Sequence, residues 1–184
     1  FNSAYGIGIG GTSGKTTVTA MAASVLDAAG KDPTVINGGI IKQYESSLRI
    51  GNAKGGTSDI ILIETDESDG SITKFYPRHS VITNISKDHK ELADLKQLFQ
   101  TFADHTSGTL IINRDCPEAQ SINGAHVLTF GCAEGSDIKV DDIQAAGPEI
   151  TFRIKDTRFN LSVPGIHNVY NAAAAVAVGV TLDI

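Results

Sequence analysis

Residues 5–17 read YGIGIGGTSGKTT, and this stretch decides the fold class. Its first six residues predict a short β-strand that ends in glycines. Apolar residues then recur at helical spacing from Val18 to Ala29, which predicts a helix over residues 14–29 that ends at Gly30. A strand that passes through glycines into a helix is typical of a phosphate-binding loop, because glycine lets backbone N–H groups converge on an anion.

Individual side chains of this loop support phosphate binding. Lys15 opposes the positive dipole end of the helix, so it needs a compensating anion such as a nucleotide β/γ-phosphate. Thr16 places a hydroxyl where a phosphate-bound Mg²⁺ would lie. The residues predicted to bind a nucleotide here are Gly11, Thr12, Ser13, Gly14, Lys15, Thr16 and Thr17. The alternative is a glycine-rich turn with an exposed lysine, and Ile9 stands where the pattern G-x-x-x-x-G-K-[ST] has its first glycine.

Further strands and helices alternate along the chain. Apolar runs predict strands over residues 34–37, 59–64, 79–84, 109–113 and 127–130, and leucine and phenylalanine spacing predicts a helix over 91–105. After residue 136, short strands over 138–140, 150–154 and 159–163 precede a helix that begins near His167. We therefore expect an α/β fold with a P-loop-type, mostly parallel sheet flanked by helices, and a small antiparallel sheet toward the C-terminal end.

Polar residues follow two of these predicted strands. Glu64 ends the run DIILIE and opens ETDESDGS, whose four acids repel one another unless they are solvated, metal-bound or partly protonated. Active sites of parallel sheets lie at the carboxyl ends of strands, which favours a Mg²⁺ site shared by Glu64 and Thr16 over a solvated acidic loop. Asp88 and His89 follow the next strand, where His89 is either a metal ligand or a surface histidine.

The last predicted helix opens with the polar run HNVYN, residues 167–171. Asn168 and Asn171 are three residues apart and therefore share a helix face. Their amides can pair with the edge of an adenine ring, although helix capping is the default interpretation of asparagines at this position.

Composition excludes several classes of protein. The chain has 184 residues, enough for one domain, and its 15 Lys+Arg against 21 Asp+Glu give a net charge of −6. An acidic chain without a basic stripe is a poor candidate for nucleic-acid binding. Its longest apolar stretch, residues 172–180, is half of what a membrane helix needs, and no secretory signal is visible. Cys116 and Cys132 have no metal-ligand spacing, and two free thiols fit a reducing cytoplasm. Together these features lead us to expect a cytoplasmic protein without nucleic-acid or membrane partners.

Five motifs together resemble the Mur ligases, the ATP-dependent amide-forming enzymes of peptidoglycan assembly. They are GTSGKTT (11–17), NGG (37–39), ETDESDGS (64–71), TNISKDH (83–89) and PGIHNVYNAAAA (164–175). The resemblance implies that residues 1–184 are the central ATP-binding domain, with the N-terminal UDP-binding and C-terminal ligase domains outside this chain. The motif forms look most like those of the alanine-adding members and the related murein-peptide ligases.

The resemblance also implies an activity and residue roles. ATP would phosphorylate the carboxylate of a UDP-N-acetylmuramate-type substrate, and the amino group of an amino acid would attack the acyl phosphate. Lys15 would contact the β/γ-phosphates, Thr16 and Glu64 would hold one Mg²⁺, and His89 would help to hold a second. Lys15, Glu64 and His89 would thus be the catalytic residues, while Asn168 and Asn171 would contact adenine.

The amino acid and the exact activity stay open. The segment after Asp88-His89 is shorter than in alanine-adding members, which leaves the amino acid undetermined, and Lys96 is the nearest counterpart of a carbamylated lysine found in some relatives. The alternatives are another ligase of the superfamily, such as a folylpolyglutamate or cyanophycin-type enzyme, and a non-catalytic nucleotide-binding module. A GTPase is disfavoured because residues 113–115 (NRD) are the nearest approach to the guanine motif N-K-x-D. Because Lys15 lies outside the apolar helix stripe, its replacement is expected to leave the fold intact.

Overall fold

A computed structural model describes residues 1–46, 50–87 and 90–184. Strands and helices are interspersed over the first two thirds of the chain, and four consecutive strands precede the last helix. The elements are β1 Tyr5–Gly10, α1 Lys15–Ala28, β2 Thr34–Ile36, β3 Ala53–Lys54, β4 Ile60–Glu64, β5 His79–Ile82, α2 Leu92–Asp104, β6 Thr109–Asn113, α3 Pro117–Gln120, β7 His126–Gly131, β8 Ile138–Ala146, β9 Glu149–Ile154, β10 Thr157–Leu161 and α4 Ile166–Val180. Two short 3₁₀ turns cover Lys42–Tyr44 and Ser71–Lys74.

The described strands form one sheet in the order β10-β9-β8-β7-β6-β5-β1-β4-β2-β3. In this order, the seven strands from β8 through to β2 run parallel to their neighbours. Strand β3 at one edge, and β9 and β10 at the other, pair antiparallel. The α/β prediction is confirmed, with the antiparallel strands extending the same sheet. Strand β1 lies between β4 and β5, so the residues that follow these three strands meet at one edge.

The alternation in β1 explains how helices pack on both faces of the sheet. Ile7 and Ile9 are fully buried in a core that also contains α1 and α4. Gly8 and Gly10 face the other side, toward α2. A Cβ added to Gly8 would lie 2.8 Å from the Phe102 ring, and one added to Gly10 would lie 3.3 Å from the Phe99 ring. The glycines therefore make room for the two phenylalanines. Among the described residues, no helix is both long and apolar enough to cross a membrane.

Some boundaries differ from those predicted. Strand β10 ends at Leu161 rather than at 163, and β8 continues to Ala146 rather than ending at 140. The extension of β8, residues 141–146, carries an irregularity between Asp141 and Gln144, and four of its six residues are exposed. It is held by backbone pairing with β9, and therefore shows no apolar alternation that could have predicted it. Both cysteines are free.

One histidine is a buried part of the sheet. His79 accepts a hydrogen bond from the Thr109 backbone N–H at Nδ1 (3.1 Å), so its Nε2 carries the proton and donates to the Tyr5 hydroxyl (2.7 Å). Burial, with a smaller contribution from the charge of Arg78, lowers the pKa of His79 to about 4. The ring is therefore neutral at physiological pH and has a structural role.

Candidate functional site

The predicted phosphate loop, residues 11–17, connects β1 to α1 and is anchored by the residues that follow β5. Gly11 has a φ of 133°, and a Cβ there would lie 1.9 Å from the Thr83 hydroxyl oxygen, so only glycine fits. The Asn84 side chain accepts a hydrogen bond from the Ser13 N–H (3.1 Å) and donates one to the Ser13 carbonyl (2.9 Å). Its backbone carbonyl accepts from the Thr12 N–H at 3.0 Å. Asn84 is a positioning residue that sequence reasoning did not identify, although it lies inside the quoted motif TNISKDH.

The first turn of α1 presents backbone N–H groups that donate to no acceptor among the described residues. The first helical hydrogen bond runs from Val18 N–H to the Gly14 carbonyl at 2.9 Å, so the N–H groups of residues 15–17 have no intrahelical acceptor. Gly14 precedes the helix in the left-handed conformation, with a φ of 84°, and supplies no capping side chain. Free N–H groups at the positive end of a helix fit an anion such as phosphate.

Lys15 does not extend freely into solvent. Its ammonium donates to the Gly11 carbonyl at 2.7 Å and to Glu67 Oε1 at 3.0 Å, and it lies 2.9 Å from Glu67 Oε2. The side chains of Lys15 and Glu67 are only 16% and 8% exposed. The compensating anion that the sequence required of Lys15 is therefore present within the chain, which sequence reasoning did not predict.

Thr16 and Glu64, which are predicted to share a Mg²⁺ ion, lie in direct contact. The Thr16 hydroxyl donates to Glu64 Oε1 at 2.9 Å, and the Gly38 N–H donates to Glu64 Oε2 at 2.7 Å. The turn at 37–39 is closed by the Asn37 side chain, whose Nδ2 donates to the Gly39 carbonyl at 3.0 Å. A Cβ on Gly38 would lie 2.8 Å from Glu64 Oε2, and one on Gly39 would lie 2.8 Å from Thr16 Cγ2. The motif NGG therefore brings a backbone close to both side chains.

The four acids between residues 64 and 69 have different surroundings. Glu64 and Glu67 contact the phosphate loop. Asp66 accepts from the Ser68 N–H at 2.8 Å, and Asp69 accepts from the Ser71 N–H at 2.7 Å, so both close local turns. The hydrogen bonds from Ser71 lower the pKa of Asp69. Neither a wholly solvated loop nor a shared cluster of four carboxylates describes this segment.

Two cavities adjoin the phosphate loop. An acidic cavity of about 390 Å³ is lined by Lys15, Glu64, Asp66 and the residues of the 36–38 turn. An aromatic cavity of about 210 Å³ is lined by residues that include Gly14, Asn84, Phe130, Tyr170 and Asn171. The first has charges that suit phosphate and a cation, while the second has aromatic walls and amides that suit a flat polar ring.

The two asparagines of α4 have different positions. Asn171 lines the aromatic cavity, and its Oδ1 would lie 2.6 Å from a Cβ added to Gly14. Asn168 donates to the Pro164 carbonyl at 2.7 Å and accepts from Asn171 Nδ2 at 3.2 Å. The N-cap of α4 is Gly165, so neither asparagine caps the helix in the usual sense. A hydrogen bond with Cys132, together with burial, raises the pKa of Tyr170.

Thr16 and Glu64 supply oxygen ligands of the kind that Mg²⁺ binds, usually through one or two carboxylates together with phosphates and waters. Over residues 1–46, 50–87 and 90–184, no group of three or more His, Cys, Asp or Glu side chains is arranged to hold a metal without such help. The predicted ligand His89, with Asp88, lies outside the described residues. Lys96 forms an ion pair with Glu118 and lines neither cavity.

Comparison with known proteins finds relatives along almost the whole chain. The Mur ligase middle domain matches residues 9–179. The UDP-N-acetylmuramate–L-alanine ligases of Sulfurihydrogenibium sp. and Persephonella marina are 40% and 39% identical to this chain, over 95% and 98% of its length. The matches cover 39% and 40% of those two proteins, so the chain spans about two fifths of their length.

Solved structures agree with this relationship. The UDP-N-acetylmuramate-alanine ligase of Thermotoga maritima has a TM-score of 0.83 at 28% identity, over 100% of this chain and 43% of that one. The UDP-N-acetylmuramate:L-alanyl-γ-D-glutamyl-meso-diaminopimelate ligase of a Neisseria species has a TM-score of 0.84 at 22% identity, over 98% of this chain and 62% of that one, and shares the fold. With its middle-domain match over residues 9–179 and relatives at about 40% identity, the chain belongs to the Mur ligase family.

Proposed function

We propose that this chain is the ATP-binding domain of a ligase that joins the carboxylate of UDP-N-acetylmuramate to an amino acid, with release of ADP and phosphate. The observation that carries the proposal is the start of α1, where Lys15, unused backbone N–H groups and the Thr16–Glu64 pair lie together. The relatives named UDP-N-acetylmuramate–L-alanine ligase support UDP-N-acetylmuramate as the acid and L-alanine as the amino acid.

In this proposal the two cavities share the nucleotide. The adenine lies in the aromatic cavity beside Tyr170, where the Asn171 amide can both donate and accept, and Asn168 supports Asn171 through their hydrogen bond. The phosphates follow the N–H groups of residues 14–17 toward Lys15 and the acidic cavity. Gly14 borders both regions, since it lines the aromatic cavity and precedes Lys15.

The metal-binding residues in the proposal are Thr16 and Glu64, whose oxygens lie 2.9 Å apart. A bound Mg²⁺ would neutralise charge on the phosphate oxygens. The assignment of His89 to a second Mg²⁺ stays a prediction from the motif. The Gly38 N–H holds one Glu64 oxygen, which orients the carboxylate toward Thr16.

The chain contributes position and charge to the proposed reaction. The substrate carboxylate attacks the γ-phosphorus, ADP leaves and an acyl phosphate forms. The amino group then attacks the acyl carbon, loses a proton and expels phosphate. Lys15 and the N–H groups of α1 stabilise negative charge that develops on the transferring group and on the departing ADP.

Calorimetric titration of residues 1–184 with ATP and GTP, with and without Mg²⁺, tests the nucleotide part of this proposal. We expect Mg²⁺-dependent binding with a preference for ATP, and a weaker dependence on Mg²⁺ in Glu64→Gln. Asp69→Asn is a matched control, because it removes a carboxylate from the same segment without touching Thr16. Absence of ATP binding, or equal small effects of both substitutions, would contradict the proposed site.

The ligase part is tested by phosphate release with ATP, UDP-N-acetylmuramate and single amino acids. L-alanine should give the highest rate in an enzyme that carries this domain. The relatives have more than half of their length outside the match, so we expect residues 1–184 alone to bind nucleotide without forming an amide at an appreciable rate. ATP binding without any amide formation in such an enzyme would instead support the non-catalytic module.

A further inference from the structure

Glu67 is the most buried acid of the 64–69 segment, and the proposed function gives it no role. The residue is 6% exposed, and its carboxylate lies 2.9 and 3.0 Å from the Lys15 ammonium through its two oxygens. The Gly11 carbonyl accepts from the same ammonium at 2.7 Å. Lys15 is thereby folded back onto its own loop, with its charge already balanced.

A phosphate that binds the loop must use the same ammonium. Lys15 has three N–H donors, and in this structure they are directed to the Gly11 carbonyl and to Glu67. A phosphate near Lys15 also lies close to the Glu67 carboxylate, and like charges repel strongly where water is largely excluded. Glu67 and a phosphate therefore compete for Lys15, both for hydrogen bonds and for charge.

We propose that Glu67 is a positioning residue that holds Lys15 against the loop and makes nucleotide binding depend on the accompanying cation. This rests on the proposed function. The two cationic charges of Mg²⁺ offset the repulsion between the phosphates and Glu67, whereas a metal-free nucleotide meets it in full. Glu67 thus selects the Mg²⁺ complex over free nucleotide or inorganic phosphate, and acts only through Lys15.

The test compares wild type, Glu67→Gln and Asp69→Asn by calorimetric titration with ATP, once with Mg²⁺ and once with EDTA. Glutamine keeps the shape and an acceptor oxygen but removes the charge. We expect Glu67→Gln to tighten ATP binding in EDTA about 10-fold and to change binding with Mg²⁺ less than about 3-fold. Asp69→Asn removes one exposed negative charge from the same segment, so it should leave the EDTA affinity within about 2-fold of wild type.

Each other result has a defined meaning. Weaker binding of Glu67→Gln with Mg²⁺ and unchanged binding in EDTA would make Glu67 a metal ligand and overturn the proposal. An unchanged affinity in both buffers with a lower melting temperature would make it purely structural, which also overturns it. If wild type binds no ATP in either buffer, the proposed function fails first. Glu67→Asp keeps the charge but is one methylene shorter and reaches Lys15 less well, so it should give a smaller gain of about 3-fold in EDTA. It tests the competition for hydrogen bonds if the glutamine variant does not fold.

Discussion

Replacing Lys15 with alanine should destabilise the fold, which reverses the expectation from the sequence. The helical stripe alone indicates no packing role for Lys15, whereas the structure pairs it with a carboxylate that is 8% exposed. Removing the ammonium leaves the buried Glu67 carboxylate without its counter-ion. A buried charge without a partner is among the few features that make a single substitution costly.

The magnitude follows from the burial of the pair. Breaking a buried ion pair costs about 3 kcal/mol at the lower end of the usual range, which suits side chains 16% and 8% exposed. Removing a cation from the first helical turn returns about 0.5 kcal/mol. The net loss of about 2.5 kcal/mol corresponds to a melting temperature roughly 5–10 °C lower for a chain of this size.

Thermal and urea unfolding followed by circular dichroism measure this loss. The double variant Lys15→Ala/Glu67→Gln should recover at least about half of it, because no buried charge remains. Lys87→Ala is the matched control: its pair with Glu91 is 65% and 73% exposed, so its loss should cost about 0.5 kcal/mol or less. A Lys15→Ala melting temperature within about 2 °C of wild type, or no recovery in the double variant, would refute the reasoning.

Three further substitutions have outcomes set by backbone geometry or burial. Gly11→Ala should lower the free energy of unfolding, measured in urea, by about 3 kcal/mol or more, because its Cβ would lie 1.9 Å from the Thr83 hydroxyl oxygen. Gly30→Ala is the control: a Cβ there has nothing within 4 Å, so the loss should be about 1 kcal/mol, from the left-handed backbone alone. Equal losses in the two variants would contradict this. Gly38→Ala should displace the Glu64 side chain, because the added Cβ would lie 2.8 Å from Glu64 Oε2. Calorimetry should then show Mg²⁺-dependent ATP binding weakened about 5-fold, while the melting temperature stays nearly unchanged. Unchanged binding would speak against a role for the contact between Gly38 and Glu64. The pKa of His79 falls from 6.5 to about 4 on folding, so the unfolded chain binds a proton at this residue more readily than the folded one. The contribution of His79 to the free energy of unfolding is therefore highest above pH 6.5 and decreases as the pH falls toward 4, by about 3 kcal/mol at most. Urea unfolding between pH 4 and 8 should therefore show a shallower pH slope in His79→Gln than in wild type, and parallel slopes would refute the assignment.

The strand and helix order could be predicted from the sequence because its signals are local. The continuous apolar runs at 60–64 and 109–113 are central strands, and the spacing of buried residues in α1 and α2 is helical. Strand β3 has only the two residues Ala53–Lys54, whose backbone pairing with β2 leaves no periodic pattern. Such edge pairing depends on the position of a neighbour far along the chain, which a local pattern does not encode.

The residues of the proposed site could be predicted only where a local signal exists, such as a glycine-rich loop or the end of a strand. Thr16 was predicted from the glycine-rich loop, and Glu64 was predicted because strand ends of a parallel sheet share an edge. Glu67 could not be distinguished from Asp66 and Asp69, since its burial depends on the path of the segment after β4. Asn84 lies two residues after β5 and carries the same kind of positional signal as Glu64, so its contact with the loop could have been found from the sequence.

The face toward which Glu64 points follows from strand register. In the pairing of β1 with β4, Ile7 lies opposite Leu62 and Ile9 opposite Glu64. Ile7, Ile9 and Leu62 all belong to the core that contains α1, so Glu64, two residues after Leu62, faces the same side. Thr65 faces the other side, where its Oγ1 would lie 3.2 Å from a Cβ on Gly10. A one-residue slip of β4 would therefore turn Glu64 away from Thr16 even if every strand still formed.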